Sequence, residues 1–290
     1  MTSLDKRKSM LLYPKAKINL GLNVVERRPD GYHNIETVFV PINLTDTLEV
    51  NILPDKAPGQ IDIKVEGVNE LCPTQNNLVY KAYALLNADF PLPAMEARLV
   101  KNIPSQAGLG GGSSDGAYML RAINELCSLG LSNARLQQYA AKLGADCPLF
   151  ITAETAYATG IGEILTPMEI PALIPSGRYS LALIKPPVAV STKEAYSGIT
   201  PQVPQHNCRD IVKQPIETWK DLLHNDFEDS VFSKLPVLAE VKQGLYDSGA
   251  IYAAMSGSGS TVFGIFDNST PNLQSLLNNT TDAYSKIIPL

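Results

Sequence analysis

The stretch Ile103-Pro104-Ser105-Gln106-Ala107-Gly108-Leu109-Gly110-Gly111-Gly112-Ser113-Ser114-Asp115 constrains this chain more than any other. Its glycines and the Ser113-Ser114 pair lie between a strand-like run, Glu96 to Lys101, and a helix-like run, Ser114 to Cys127. Glycine lacks the Cβ that would hold backbone N–H groups away from a ligand, and it accepts positive φ. Such a loop opening a helix aims several N–H donors and the positive end of the helix dipole at one spot. Phosphate is the natural occupant, and a flexible linker or tight turn is the plainer alternative. The glycines open a helix instead of joining two domains, which favours phosphate.

The commoner phosphate patterns are absent. No Gly-x-x-x-x-Gly-Lys-Ser/Thr occurs, and Gly-x-Gly-x-x-Gly fails because the last position falls on Ser113 or Asp115. A dinucleotide fingerprint also wants an acid about twenty positions on, where Gln137 and Gln138 stand. The His-Arg-Asp and Asp-Phe-Gly landmarks of protein kinases are missing too. A net charge of −5 argues against a nucleic-acid surface, so an anionic ligand must be held by local groups. No apolar run reaches the length of a membrane span, and Met1 to Met10 lacks a signal-peptide core. Cys72, Cys127, Cys147 and Cys208 are widely spaced, which suggests free thiols in a reducing cytoplasm. His33, His206 and His224 are scattered and show no metal-ligand spacing.

At 290 residues, one large or two moderate domains are expected. Alternation from Lys15 puts Ala16, Ile18, Leu20 and Leu22 on one strand face and Lys17, Asn19, Gly21 and Asn23 on the other. Plain solvent exposure is the usual reading of such a polar face. Arg28-Pro29-Asp30-Gly31 reads as a turn, and strands Ile35 to Ile42, Thr47 to Leu53 and Ile61 to Glu66 follow as a β-meander. Asn76-Asn77 caps a helix from Leu78 to Asn87, and Ser132 caps one ending at Gly144. Ala156 to Gly160 and Gly162 to Leu165 form a hairpin, and Pro167, Pro171 and Pro175 mark a boundary between domains 1–165 and 166–290. The second domain reads as a strand (Tyr179 to Lys185), a short helix capped by Ser191 or Thr192, and a helical region from Ile216 to Tyr246. Strands Ala250 to Met255 and Thr261 to Phe266 then flank a second Gly/Ser loop, Ser256 to Ser260, before a helix (Asn272 to Leu277) and a last strand, Ser285 to Leu290. That order suits an antiparallel sheet with helices on one face, an α+β split-βαβ layout.

Three stretches together resemble the GHMP kinase superfamily of small-molecule kinases: Pro14 to Leu22, Pro104 to Asp115 and Met255 to Phe263. Arg28-Pro29-Asp30-Gly31-Tyr32-His33-Asn34, Gly144-Ala145-Asp146-Cys147-Pro148 and Ala158 to Glu163 narrow the resemblance. They point to the branch that phosphorylates a diphosphocytidyl-linked polyol in the non-mevalonate route to isoprenoid precursors. The implied fold is α+β with two domains: an N-terminal nucleotide-binding α/β domain of mixed sheet and helices, and a C-terminal ferredoxin-like split-βαβ domain. The implied reaction is ATP-dependent phosphorylation of a tertiary alcohol, with Mg²⁺ as cofactor.

The resemblance implies Asp146 as general base and Lys17 as the cation beside it, with Asn19 orienting the hydroxyl. An N-cap for a turn at Cys147 is the plainer reading of Asp146. Tyr32 and His33 would recognise cytosine, with Tyr196, after Thr192, as a second aromatic wall, and Gly257 and Ser258 would close over the substrate's phosphates. Pro104, Gly108, Leu109, Gly110, Gly111, Gly112, Ser113 and Ser114 would hold ATP, with Lys101, Asn102 and Asn77-Leu78 near the adenine. Ser114 is a candidate Mg²⁺ ligand, and Glu163 is another unless it merely sits in the hairpin turn. Cys147, where relatives carry a branched aliphatic, is expected to pack and not to react. Two rival readings are another GHMP kinase, acting on homoserine or mevalonate, and an inactive binding module.

Overall fold

The computed structural model describes residues 8–67, 73–173, 177–270, 273 and 283–290. Strands β1 (Ser9–Leu12), β2 (Lys15–Arg27), β3 (His33–Thr45), β4 (Thr47–Ile52) and β5 (Ile61–Gly67) precede helix α1 (Leu78–Asp89) and strand β6 (Met95–Lys101). Helices α2 (Gly111–Leu126), α3 (Asn133–Leu143) and the single turn α4 (Leu149–Thr152) come next. Strands β7 (Ala156–Thr159), β8 (Ile164–Pro167) and β9 (Tyr179–Lys185) follow them. Short helices α5 (Thr192–Tyr196), α6 (Cys208–Ile211) and α7 (Trp219–Leu222) lead to α8 (Phe227–Lys234) and α9 (Pro236–Asp247). Strands β10 (Tyr252–Met255), β11 (Val262–Asp267) and β12 (Tyr284–Pro289) complete the described elements. The expected helix Asn272 to Leu277 falls, but for Leu273, outside the described residues, as do Cys72 and Pro175.

The chain forms two compact units. The described residues of the first fall within 1–16, 44–105 and 110–153, and those of the second within 17–43, 106–109 and 154–290. In the first unit the sheet order is β1-β4-β6-β5, with α1, α2, α3 and α4 packed together beside it. Helix α2 is its centre: Ala117, Met119, Leu120, Ala122 and Ile123 are fully buried. Asn77 caps α1 by accepting from the Val79 N–H, and Ser132 caps α3 by accepting from Arg135. The second unit carries two sheets, β2-β3-β7-β8 and the antiparallel β10-β11-β9-β12, with α9 against β10 and β11. Val24, Ile184, Phe227, Leu238, Leu245, Met255 and Phe266 form a common core there. Each such side chain contributes about 1.5–3 kcal/mol of burial energy.

Three sequence expectations change. The β-meander does not form: β4 pairs with β1 and β6, and β5 lies parallel to β6, Ile61 opposite Met95 through Gly67 opposite Lys101. Helix α1 joins β5 to β6, making a βαβ unit, because parallel neighbours need a crossover; alternation identifies a strand but not its partner. Helix α2 begins at Gly111, three residues earlier than Ser114, so two of the glycines are already helical. The polar face of β2 is not solvent-exposed: Lys17 and Asn19 are buried together with Ala16, Ile18, Leu20 and Leu22.

Candidate functional site

Burying a lysine and an asparagine on a strand requires partners, and in the second unit they form a chain of hydrogen bonds. The Lys17 Nζ donates to Asn19 Oδ1 at 2.7 Å and to the Gly108 carbonyl at 2.9 Å. Asn19 Nδ2 donates to Thr37 Oγ1 at 2.9 Å, and that hydroxyl donates to the Gly21 carbonyl at 2.5 Å. The orientation of the Asn19 amide is therefore fixed at both ends. Residues 106–109 are bound to β2 by the Lys17 N–H donating to the Leu109 carbonyl at 2.9 Å.

The second Gly/Ser loop lies against the same residues. Ser256 Oγ donates to the Gly108 carbonyl at 3.0 Å, and the Thr261 N–H donates to the Ala107 carbonyl at 3.1 Å. Gly108 has φ +73°, and a Cβ there would sit 1.9 Å from the Ser256 oxygen. Gly257, at φ +55°, would place a Cβ 3.3 Å from Asn19 Oδ1 and 3.4 Å from Lys17 Nζ. Within this unit, Lys17, Asn19, Gly108 and Gly257 thus meet at one point. Ser258 is half-buried, its hydroxyl 3.4 Å from that of exposed Thr192.

Sequence reasoning missed the segment that holds this second loop. Asn225 Nδ2 donates to the Met255 carbonyl at 2.7 Å and the Gly257 carbonyl at 2.8 Å, while its Oδ1 accepts from the Phe227 N–H. Glu228 accepts from the Met255 N–H at 2.7 Å and pairs with Lys242 at 2.6 Å. Asp226 accepts from the Val24 N–H at 2.7 Å and from Asn23. The only available signal, Asn-Asp ahead of Phe227, reads as an ordinary helix start, and the Oδ1 contact is of that kind. The Nδ2 contacts are tertiary and leave no pattern in the sequence.

The aromatic residues occupy a different arrangement from the two walls expected. His33 and Tyr196 stack on each other at 4.7 Å between ring centroids, and Phe227 meets Tyr196 edge-on. A base sandwiched between two rings needs them about 7 Å apart, twice the usual contact distance, so a ligand base would stack beside this pair or part it. Burial, with a smaller effect from Arg27, lowers the His33 pKa below 6.5. Tyr32 is 60 % exposed beyond the Arg28–Gly31 turn.

In the first unit, α2 starts inside the glycine run and Gly110 is its N-cap. The earliest N–H groups of any helix lack intrahelical partners, which leaves those of Gly111, Gly112 and Ser113 directed out of the helix end. Gly112 is exposed and Ser113 and Pro104 are half-buried, whereas Ser114 is fully buried and its hydroxyl has no hydrogen-bond partner among the described residues. Lys101 is buried and paired with Asp46 and Asp115. Asn102 is exposed and donates to the Thr45 carbonyl. Asp146 is half-buried in the turn Gly144–Pro148, ahead of α4, whose N-cap is Pro148. Burial pushes the Cys147 thiol up to about 12, which fits packing and not nucleophilic chemistry. In the second unit, Glu163 accepts from the Ile161 N–H at 2.7 Å, so its carboxylate serves the hairpin turn. A separate concavity of about 640 Å³ in the second unit is lined by residues such as Val40, Ile42, Met168 and Ile170, and none of the residues around Lys17 lines it. Convergent polar groups, not cavity size, mark the site.

Comparison with known proteins bears on the family of the chain. The family description "GHMP kinases N terminal domain" matches residues 77–154, and "GHMP kinases C terminal" matches residues 209–275. A 4-diphosphocytidyl-2-C-methyl-D-erythritol kinase from Bacteroides fragilis is 50 % identical over 257 residues, covering 89 % of this chain and 92 % of the relative. One from Bacteroides thetaiotaomicron is 48 % identical over 258 residues, covering 89 % and 92 %. The crystal structure of a 4-(cytidine 5'-diphospho)-2C-methyl-D-erythritol kinase superposes with a TM-score of 0.76 at 30 % identity, covering 97 % of this chain and all of that one. The chain belongs to the GHMP kinases.

Proposed function

We infer that this chain is the ATP-dependent kinase that phosphorylates the C2 hydroxyl of 4-diphosphocytidyl-2-C-methyl-D-erythritol, giving the 2-phosphate and ADP. The relatives at 48–50 % identity supply the substrate. The observation that carries the chemistry is the buried Lys17 ammonium, held by Asn19 and the Gly108 carbonyl at the point where the two Gly/Ser loops meet. Phosphoryl transfer asks a protein mainly for positioning and charge stabilisation, and a fixed cation between two small-residue loops offers both.

In the reaction the C2 oxygen bonds to the γ-phosphorus as the bond from that phosphorus to the β–γ bridging oxygen breaks. ADP leaves with the electron pair, and the hydroxyl proton passes to Asp146. Lys17 offsets charge on the transferring group, and Asn19 orients the hydroxyl. The N–H groups of 110–113 cradle the ATP phosphates. Loop 256–260 closes on the substrate's phosphates through Gly257 and Ser258, and His33, Tyr32 and Tyr196 receive the cytosine. Among the described residues no group of three His, Cys, Asp or Glu is placed to hold a metal. Mg²⁺ would therefore arrive with the nucleotide, as it commonly does. The Ser114 hydroxyl, without a partner among the described residues, fits one oxygen ligand. Bound there, the ion would neutralise phosphate charge.

The test is Asp146→Asn. A general base contributes roughly 10²–10⁴ in rate, so turnover should fall by that much while ATP affinity, measured by calorimetry, stays nearly constant. Undiminished turnover removes Asp146 from the mechanism. Offering homoserine in place of the cytidyl substrate separates this reading from its nearest rival: phosphorylation of homoserine alone overturns it.

A further inference from the structure

The resemblance puts Lys101 beside the adenine, but its side chain is directed elsewhere. It is 8 % exposed, and its ammonium bonds Asp46 and, at 2.5 Å, Asp115. Lys101 is the last residue of β6 and Asp115 the fifth of α2, so this ion pair joins the two ends of segment 102–110. Asp46, in the step from β3 to β4, accepts from the N–H groups of Asn102 at 2.6 Å and Ile103 at 2.8 Å, fixing the first residues to leave β6. A Cβ on Gly111 would come within 3.4 Å of the Lys101 nitrogen, so the ammonium lies under the first turn of α2. Burial would lower the Lys101 pKa, but Asp115 and Asp46 outweigh it and hold the ammonium charged above its usual range. Burial pushes the Asp115 carboxyl well above the usual carboxylate range, against the pull of Lys101, so the clasp rests on the placement of the three side chains.

We propose that Lys101 is a positioning residue, an ionic clasp closing the base of the glycine loop through Asp46 and Asp115, and not a contact to ATP. A loop of this length costs entropy to hold in one shape, and backbone N–H donors bind phosphate well only when fixed in advance. The cation also offsets a carboxylate that would otherwise stand near the phosphate-binding end of the helix. The nucleotide part of this inference rests on the kinase reading; the clasp itself does not.

The experiment compares D115L with D115N, leaving Lys101 in place and still paired with Asp46. Losing one charge-assisted bond corresponds to roughly tenfold in affinity. D115L should therefore raise the KM for ATP about that much, with kcat and the KM for the alcohol nearly unchanged. D115N keeps an oxygen for the ammonium and should restore most of the ATP affinity. Amide hydrogen exchange over 102–110, measured without substrates, should quicken in D115L. Wild-type KM and unchanged exchange in D115L would overturn the clasp. If D115L does not fold, D46A removes the Lys101 partner together with the acceptor of the Asn102 and Ile103 N–H groups and is read by the same exchange measurement: faster exchange over 105–110, beyond the two amides that lose their bonds directly, supports the clasp, and unchanged exchange there sinks it. A wild-type protein without kinase activity would end the kinase reading while leaving the exchange result to judge the clasp.

Discussion

Replacing Gly108 by alanine should separate the two loops and silence the enzyme. The added Cβ would stand 1.9 Å from the Ser256 carbonyl oxygen, and the next nearest backbone atoms lie at 2.9 and 3.2 Å. Since real Cβ contacts essentially never fall under 3.0 Å, the loops must part by about 1 Å, because backbone on both sides offers no rotamer to give way. The φ of +73° adds strain of about 1–2 kcal/mol for an L-residue. Parting the loops loosens the Ser256 bond to Gly108, worth about 1 kcal/mol, and the Lys17 bond to the same carbonyl, worth about 1.5–3 kcal/mol. The strain should lower the melting temperature by about 2–3 °C in a chain of this size. Displacing Lys17 should cost about 2–3 kcal/mol in the transition state, close to a hundredfold in kcat/KM. The assay is ADP release coupled to phosphorylation of the cytidyl substrate. Gly130→Ala is the control: φ is +66° but no atom of the described residues lies within 4 Å of the added Cβ, so it should lose stability and keep full activity. If Gly108→Ala keeps both its melting temperature and its kcat/KM, the two loops do not approach as described and the reasoning fails.

Two further predictions follow from the site. Asn225→Ala removes both bonds from Nδ2 to the carbonyls of Met255 and Gly257, and each buried carbonyl left unpaired costs about 1–3 kcal/mol. Steady-state kinetics should show the KM for the alcohol raised at least about tenfold, as loosening loop 256–260 by that energy requires, with the KM for ATP little changed; equal damage to both would remove the loop from the substrate end. Because the folded pKa of His33 lies below 6.5, the imidazole is neutral at neutral pH. The unfolded chain takes up a proton first as pH falls from 6.5, so stability present above that pH is lost towards the lower folded value. Melting curves at pH 8, 6.5 and 5.5 should show this loss in the wild type and less of it in His33→Gln; identical slopes would mean that burial at His33 does not matter.

Much of the molecule was legible because its signals are local. The caps at Asn77 and Ser132, the strand Tyr179–Lys185 and the turn at Gly31 depend on neighbours a few residues away, and each formed; of the two candidates Ser191 and Thr192, Ser191 is the cap. What depends on tertiary partners was not legible. Alternation could not say that β5 would pair with β6 across α1. It also could not say that the polar face of β2 would be covered, since exposure and burial with hydrogen bonds demand the same residue types. Resemblance alone points to Lys17 and Asn19, and the hydrogen-bond chain through Thr37 and Gly108 is the physical reason for their burial. Asn225 had neither a motif nor a periodicity to reveal it.

The most direct test uses purified protein, ATP, Mg²⁺ and 4-diphosphocytidyl-2-C-methyl-D-erythritol, followed by phosphorus NMR. One new phosphomonoester signal should grow in step with ADP, with the cytidyl diphosphate signals retained and coupling that places the new phosphate on the tertiary C2 oxygen. ADP formed without that signal, or a phosphate attached at any other oxygen, would contradict the assignment of this site.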